Sequence, residues 1–433
     1  MKLPPGPRPL FPFQNLVRYS RNPLTFFEQI TREHGDFAYV PIPGYSFYLI
    51  NNRACIEEVL KNKGNRFIKD KTTRALSRLI GNGLVISEGE YWQSQRKAIQ
   101  PTFHPHNIAD WANCFVQYSR DSLDSWEDGK TIILQHEMMK ITLRIIARII
   151  FNVDVAKESS QVGEAMQFVT TYFVSLLNVI IPGWLPTPAN LKLKQSVGIL
   201  DDLIRDFERK AAKGQPDSVT MLGLLQQAGM KGPQLRDELM TFLLAGHETT
   251  SFALTYTIYL LSKHPEIRAK VMAEIQTVTG DRPVAARDAR SFPYLKCVFQ
   301  ESLRLYPPVW SIARESIKDC ELGGYPIPAH SQIVFSQWNM HRDPRYFQDP
   351  LKFDPDRWKT LTEHDLSFVY FPFGAGPRIC IGKEFATMEA ILILATLYQK
   401  CELEVLHEGP LELIPSITIR PRHPLNTRIH KLA

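Results

Sequence analysis

The stretch FPFGAGPRICIG, Phe371 to Gly382, constrains this chain more than any other. Its glycines let the backbone turn tightly and come close to something large and flat, and Pro377 stiffens the turn. Cys380 stands two residues after Arg378, and the run behind it, IGKEFATMEAILILATLYQK, reads as a long helix. Cys380 is therefore expected at a helix N-terminus, where free N–H groups and partial positive charge favour a thiolate over a thiol. A thiolate held beside an arginine suits a soft metal centre; the plainer reading is a structural cysteine in a glycine-rich turn.

Helical periodicity dominates the rest. Apolar residues recur at three- and four-residue spacing over Ile108–Trp126, Met138–Phe151, Gly163–Leu177, Leu193–Ala212, Gln234–Leu261 and Glu266–Thr277. Strand patterns are fewer: Phe37 to Asn51 reads as two strands joined at Pro43-Gly44, and Gln332–Gln337 and Leu411–Pro421 read as further short strands. The expected fold is mainly α with small peripheral β-sheets. A length of 433 residues would allow two or three domains. With no linker, repeat or low-complexity tract, one unit over 1–433 is expected, its β-rich lobe at about residues 35–70 packed on a helical core.

Composition excludes several function classes. The net charge of +6 comes from scattered lysines and arginines, which argues against nucleic-acid binding and for a basic patch facing an acidic protein. Six cysteines without a C-x-x-C pair fit neither a zinc site nor a disulfide framework and suit a reducing compartment. The N-terminus has no apolar h-region. Leu239–Ser262 is long enough to cross a bilayer, but Glu248 at its middle would cost ~2.5 kcal/mol or more there, so a helix buried in protein is expected.

Three further motifs carry charge in apolar surroundings. ESLRLYPP puts Glu301 and Arg304 on one helical face, stopped by Pro307-Pro308. YWQSQRKAIQP puts Trp92 and Arg96 one turn apart, and AGHETT places Glu248 and Thr249 after Gly246, where the helix can open locally. His247 precedes Glu248, but no second histidine follows at i+4, so a zinc protease site is discounted.

Taken in chain order, these landmarks resemble those of the cytochrome P450 family across nearly the whole chain. The resemblance implies a cytochrome P450 fold and haem b (iron protoporphyrin IX) with Cys380 as axial ligand. Phe373 would shield the thiolate, and Gly382 and Ala245 would lie against the haem. Arg378, Trp92, Arg96 and Arg314 would hold the propionates. Glu301 and Arg304 would join Arg357, from FDPDRW, in a bracing polar network, while Glu248 and Thr249 would relay protons. The expected activity is hydroxylation of a lipophilic small molecule with dioxygen and two electrons from a separate ferredoxin or flavodoxin-like donor and its reductase. That donor is expected to dock near Lys97 and Lys383. The alternatives are a peroxide-dependent or rearranging haem-thiolate enzyme, and a non-enzymatic haem carrier. By the same analogy Phe173, Leu177, Phe242, Val309, Trp310 and Ile414 would line the substrate pocket, with Trp310 either capping it or packing in the core. No pocket arginine is evident to clamp a carboxylate. The start MKLPPGPRPLFPF is similar to the proline-rich segment that follows the anchor in membrane members; a soluble cytoplasmic protein is expected, with a trimmed anchor as the alternative.

Overall fold

The structure, a computed structural model, describes residues 3–154, 165–166, 168–169, 171–173, 178, 181–213 and 220–432. The helices that position the site are α1 (Arg53–Lys61), α2 (Gly89–Ile99), α3 (Pro105–Ser125), α4 (Leu134–Phe151), α5 (Gly232–Lys263), α6 (Pro265–Thr279), α7 (Pro293–Leu305) and α8 (Lys383–Lys400). Several begin one to three residues before the apolar pattern, because a proline at the first or second helical position starts α3, α5, α6 and α7. The pattern over 163–177 falls mostly outside the described residues.

α5 is the axis of the core. Its apolar residues run all round it, as expected for a helix covered on every side, and it packs against α4, α7 and α8. Its hydroxyls cause no penalty. Ser251, Thr255 and Thr257 each donate to a backbone carbonyl three or four residues back, at 2.7–2.8 Å. Among the described residues no helix is long and apolar enough to cross a membrane.

The main sheet runs in the order β1-β2-β8-β5-β3, built from Phe37–Val40, Phe47–Ile50, Gln332–Ser336, Ser311–Ser316 and Phe67–Lys69. β2 pairs with β8 in parallel and the other pairings are antiparallel. The β-rich lobe expected at residues 35–70 is thus completed by β5 and β8 from the far half of the chain. β5, not foreseen as a strand, carries Arg314 inward. The hairpin β10 (Leu413–Pro415) with β11 (Ile419–Pro421) falls where Leu411–Pro421 predicted strands. Tyr256 Oη ties this hairpin to α5 by donating to the Ile419 carbonyl at 2.9 Å.

Candidate active site

The cysteine loop is closed by its own backbone. Gly374 N–H donates to Phe371 O and Cys380 N–H to Phe373 O, each at 2.9 Å. Gly376 has φ +70°, and a Cβ there would overlap the Leu60 carbonyl at the end of α1, so the loop lies hard against that helix. Phe373 is half-buried against the helical core. α8 begins at Lys383, so Cys380 precedes the helix rather than capping it. The surroundings of the unligated sulfur work against the expected thiolate. Burial pushes the Cys380 thiol up, and the Gly382 N–H and the Arg96 charge only partly offset it. A coordinating metal is the remaining agent that would deprotonate it.

Around the loop the cations are crowded. The Arg378 guanidinium lies 3.9 Å above the Trp92 ring and pairs with Glu88. Arg96 Nη1 donates to the Ile379 carbonyl at 2.9 Å, and buried Arg314 donates to the neighbouring Ala313 carbonyl at 2.7 Å. Lys69, on β3, is the fourth cation. Burial, with Arg314 and Arg378 nearby, pushes its ammonium well down, and burial with Arg314 and Arg96 brings Arg378 to about 10. Among the described residues Glu88 and Asp70 oppose these cations, and the Asp70 oxygens already accept from Thr72, Thr73 and Tyr45. With the Lys69 ammonium disfavoured, the three arginines still outnumber the two carboxylates in a poorly solvated place. Arg378 Nη1 is buried there without a hydrogen-bond partner among the described residues. Such an arrangement calls for an anionic ligand.

The neighbouring network is densely hydrogen-bonded around one carboxylate. Arg304 and Glu301 are fully buried and joined by two hydrogen bonds of 2.9 and 2.8 Å. Glu301 also accepts from Arg357 Nε at 3.0 Å, Trp358 Nε1 at 2.9 Å and Asp354 N–H at 3.0 Å. The remaining Arg304 donors reach the carbonyls of His341, Pro350 and Lys352 at 2.6–3.1 Å. His341 carries this frame to the cysteine loop, its Nε2 accepting from Phe371 N–H at 3.0 Å. Burial, with Arg304 and Arg342 alongside, pushes the His341 pKa well down and keeps the ring neutral, which that acceptor role requires.

On α5, Ala245 keeps exposed surface although the helix around it is buried; Cys380 likewise stays accessible deep in the fold. Thr249 Oγ1 donates to the Ala245 carbonyl at 2.5 Å. The helix is continuous through Gly246, whose missing side chain admits Ile146 of α4, so the glycine serves close packing instead of the expected opening. Glu248 is buried and within electrostatic reach of Arg420 on β11, a residue whose side chain has no hydrogen-bond partner among the described residues. His247 is buried and pushed down to about 4, hence neutral, and no group of three or more His, Cys, Asp or Glu able to hold a metal ion occurs among the described residues.

The expected pocket residues do not all gather. Val309 and Ile414 are half-buried at the turn after α7 and on β10, and Phe173 is half-buried with its ring edge against Tyr172. Phe242 is buried against Phe103, and Trp310 is buried against Phe27 with Nε1 bonded to Ser416 O at 2.8 Å. Both rings pack into buried hydrophobic clusters. Leu177 lies outside the described residues. Lys69, Glu88, His341 and Arg420 went unrecognised in the sequence. Only Arg420, in the alternating run Thr418–Pro421, carried any local signal.

A mainly helical core, a cysteine loop braced through His341 and arginines in excess of carboxylates beside it suit haem-thiolate chemistry. The chain belongs to the cytochrome P450 family, whose sequence profile matches residues 4–426. It is 33% identical over 406 residues to the cyclooctat-9-en-7-ol 5-monooxygenase of Streptomyces melanosporofaciens, covering 88% of this chain and 85% of that enzyme. It is 29% identical over 428 residues to the pentalenene oxygenase of Streptomyces avermitilis, covering 95% and 93%. Its fold is similar to that of retinoic acid bound cyanobacterial CYP120A1, with a TM-score of 0.88 and 26% identity over 100% of both chains. The protein is thus an oxidoreductase of the P450 monooxygenase type.

Proposed function

We propose that this enzyme inserts one atom of dioxygen into a lipophilic terpenoid, using haem b and electrons from a separate ferredoxin or flavodoxin-like protein. The observation that carries the reading is the excess of cationic side chains over carboxylates beside a cysteine loop whose Cys380 stays accessible. Haem b has propionates to meet that excess and an iron to take the sulfur. The terpenoid class rests on the relatives' names, which specify cyclooctat-9-en-7-ol and pentalenene as what those enzymes act on.

When bound, haem supplies the activation of oxygen. The chain's residues do the rest. Cys380 would hold the iron, and Lys69, Arg96, Arg314 and Arg378 would hold the carboxylates, with Trp92 flattened under Arg378. Thr249 Oγ1, now donating to Ala245 O, would release that bond to pass a proton into the pocket. Glu248, facing the Arg420 charge, would take up a proton and resupply it. The apolar surfaces around Val309 and Ile414 orient substrate and exclude water. Electrons would enter on the cysteine-loop side. Lys383 already pairs with Glu363, so exposed Lys97 carries more of the expected docking charge.

Thr249→Ala tests the relay. Product formed per electron consumed is expected to fall by about 10²-fold, with the electrons appearing as peroxide, while Thr249→Ser restores most coupling. Unchanged coupling in the alanine variant, or full turnover on added peroxide without reductase, contradicts the reading.

A further inference from the structure

We propose that Asp237 and Glu238, at the start of α5, form a clasp that positions segment 81–86, and that the proton held by Glu238 sets how often the segment opens to exchange substrate. That this segment borders the substrate space rests on the monooxygenase reading; the clasp itself is a matter of geometry. Asn82 N–H donates to Asp237 Oδ2 at 2.7 Å, and Leu84 N–H donates to Glu238 Oε2 at 3.1 Å. Successive carboxylates of one helix thus take alternate amides of a segment far away in sequence. The backbone is pressed onto the helix. Gly81 has φ +56°, and a Cβ there would overlap the Asp237 carboxylate; one at Gly83 would overlap Thr241 Oγ1 and come within 2.9 Å of Asp237 O. Leu84 and Ile86 are buried on the far side of this contact. The preceding turn is pinned from the other flank. Arg78 donates to Tyr172 Oη and to the carbonyls of Asn178 and Ile181, each at 3.0 Å.

The two carboxylates differ in their compensation. Asp237 accepts from Arg236 at 3.0 Å, and Arg236 is itself anchored to Asp201 of the helix Pro188–Lys213. Among the described residues Glu238 has no such cation. It is fully buried, and the groups that face it are the Leu84 N–H, the like charge of Asp237 beside it and the Tyr91 phenol of α2. Segment 81–84, Gly-Asn-Gly-Leu, brings no titratable side chain. Glu238 Oε1 has no hydrogen-bond partner among the described residues. As an acid, Glu238 can carry its proton on Oε1 and still accept from Leu84 with Oε2. As a carboxylate it strands Oε1, buried, next to Asp237.

Burial, with the Asp237 charge adding to it, pushes the Glu238 pKa up to about 7, and the Leu84 N–H pulls it back only in part. A carboxyl raised in the closed state favours closure while it is protonated, and that contribution is lost as pH rises through the closed-state value. The closed clasp is therefore secure on the acid side of neutrality and loosens on the alkaline side, by up to about tenfold per pH unit.

The test is amide hydrogen exchange, read by mass spectrometry on the haem-loaded enzyme and corrected for the intrinsic pH dependence of exchange. Between about pH 6 and about pH 8, opening of residues 81–86 is expected to rise about tenfold in the wild type. It stays flat in Glu238→Gln, which keeps the acceptor for Leu84 and is neutral throughout. Asp237→Asn is expected to keep the step but move its midpoint to lower pH. The association rate of 4-phenylimidazole, followed by stopped-flow absorbance, should show the same step and the same loss in Glu238→Gln. A step of equal size in Glu238→Gln, or none in the wild type, overturns the proposal. The readings fail separately: a haem spectrum with flat exchange removes the clasp alone, and an exchange step without any haem spectrum removes the haem assignment alone.

Discussion

Cys380→Ser is expected to leave a folded protein with at least about 10²-fold less monooxygenase turnover. The reason lies in the balance of effects on this sulfur. Burial raises its pKa, while one N–H and the Arg96 charge lower it, so the anion is poorly favoured until a metal displaces the proton. A thiol, with an ordinary value near 8.5, can be deprotonated in this way; a serine hydroxyl, far less acidic and harder as a ligand, cannot match it. The loop itself should persist, because its closure uses the Cys380 and Gly374 backbone amides and not the sulfur. Circular dichroism unchanged beside lost turnover is the expected pair of results. Near-normal turnover in the serine variant would mean that another group holds the iron.

Arg304→Ala is expected to cost ~3–5 kcal/mol of stability, a large share of what a folded protein has in hand. Arg304 is fully buried and fills every direction of its guanidinium: Glu301 on one edge, the carbonyls of His341, Pro350 and Lys352 on the other. Its removal strands a buried carboxylate with Arg357 as its one remaining cation, together with three carbonyls. It also frees His341, whose Nε2 holds the Phe371 amide, so the cysteine loop should loosen and haem retention fall with stability. Arg304→Lys is expected to rescue little, since an ammonium cannot span five planar donor directions. The denaturant midpoint at constant slope measures the loss. A loss below about 1 kcal/mol would place this pair among ordinary surface ion pairs, contrary to its burial.

Much of this was legible because the chemistry is local in sequence. Phe373 to Gly382 is one loop, Glu301 and Arg304 share a helical face, and Ala245 to Thr249 is one turn of one helix. The illegible parts are partnerships across the fold. Lys69 and Glu88 look like ordinary surface residues until β3 and α2 bring them to Arg378 and Arg314. Arg420 acquires meaning only when the β10–β11 hairpin lies along α5, and Glu238 only when segment 81–84 folds onto it. Periodicity correctly marked Phe242 and Trp310 as apolar but could not tell a pocket wall from the core, where Phe103 and Phe27 receive them. The factor opposing the thiolate was hidden for a related reason: helix position is visible in sequence, whereas the desolvation that raises the Cys380 pKa is a property of the whole fold.

The central claim is that the Cys380 sulfur ligates iron in a porphyrin held by Lys69, Arg96, Arg314 and Arg378. The most direct measurement is the absorption spectrum of the haem-loaded wild type, reduced and exposed to carbon monoxide. We expect the strongly red-shifted Soret band that thiolate ligation gives, absent in Cys380→Ser. A wild-type band at the position found for histidine-ligated haem, or one that survives in the serine variant, would contradict it.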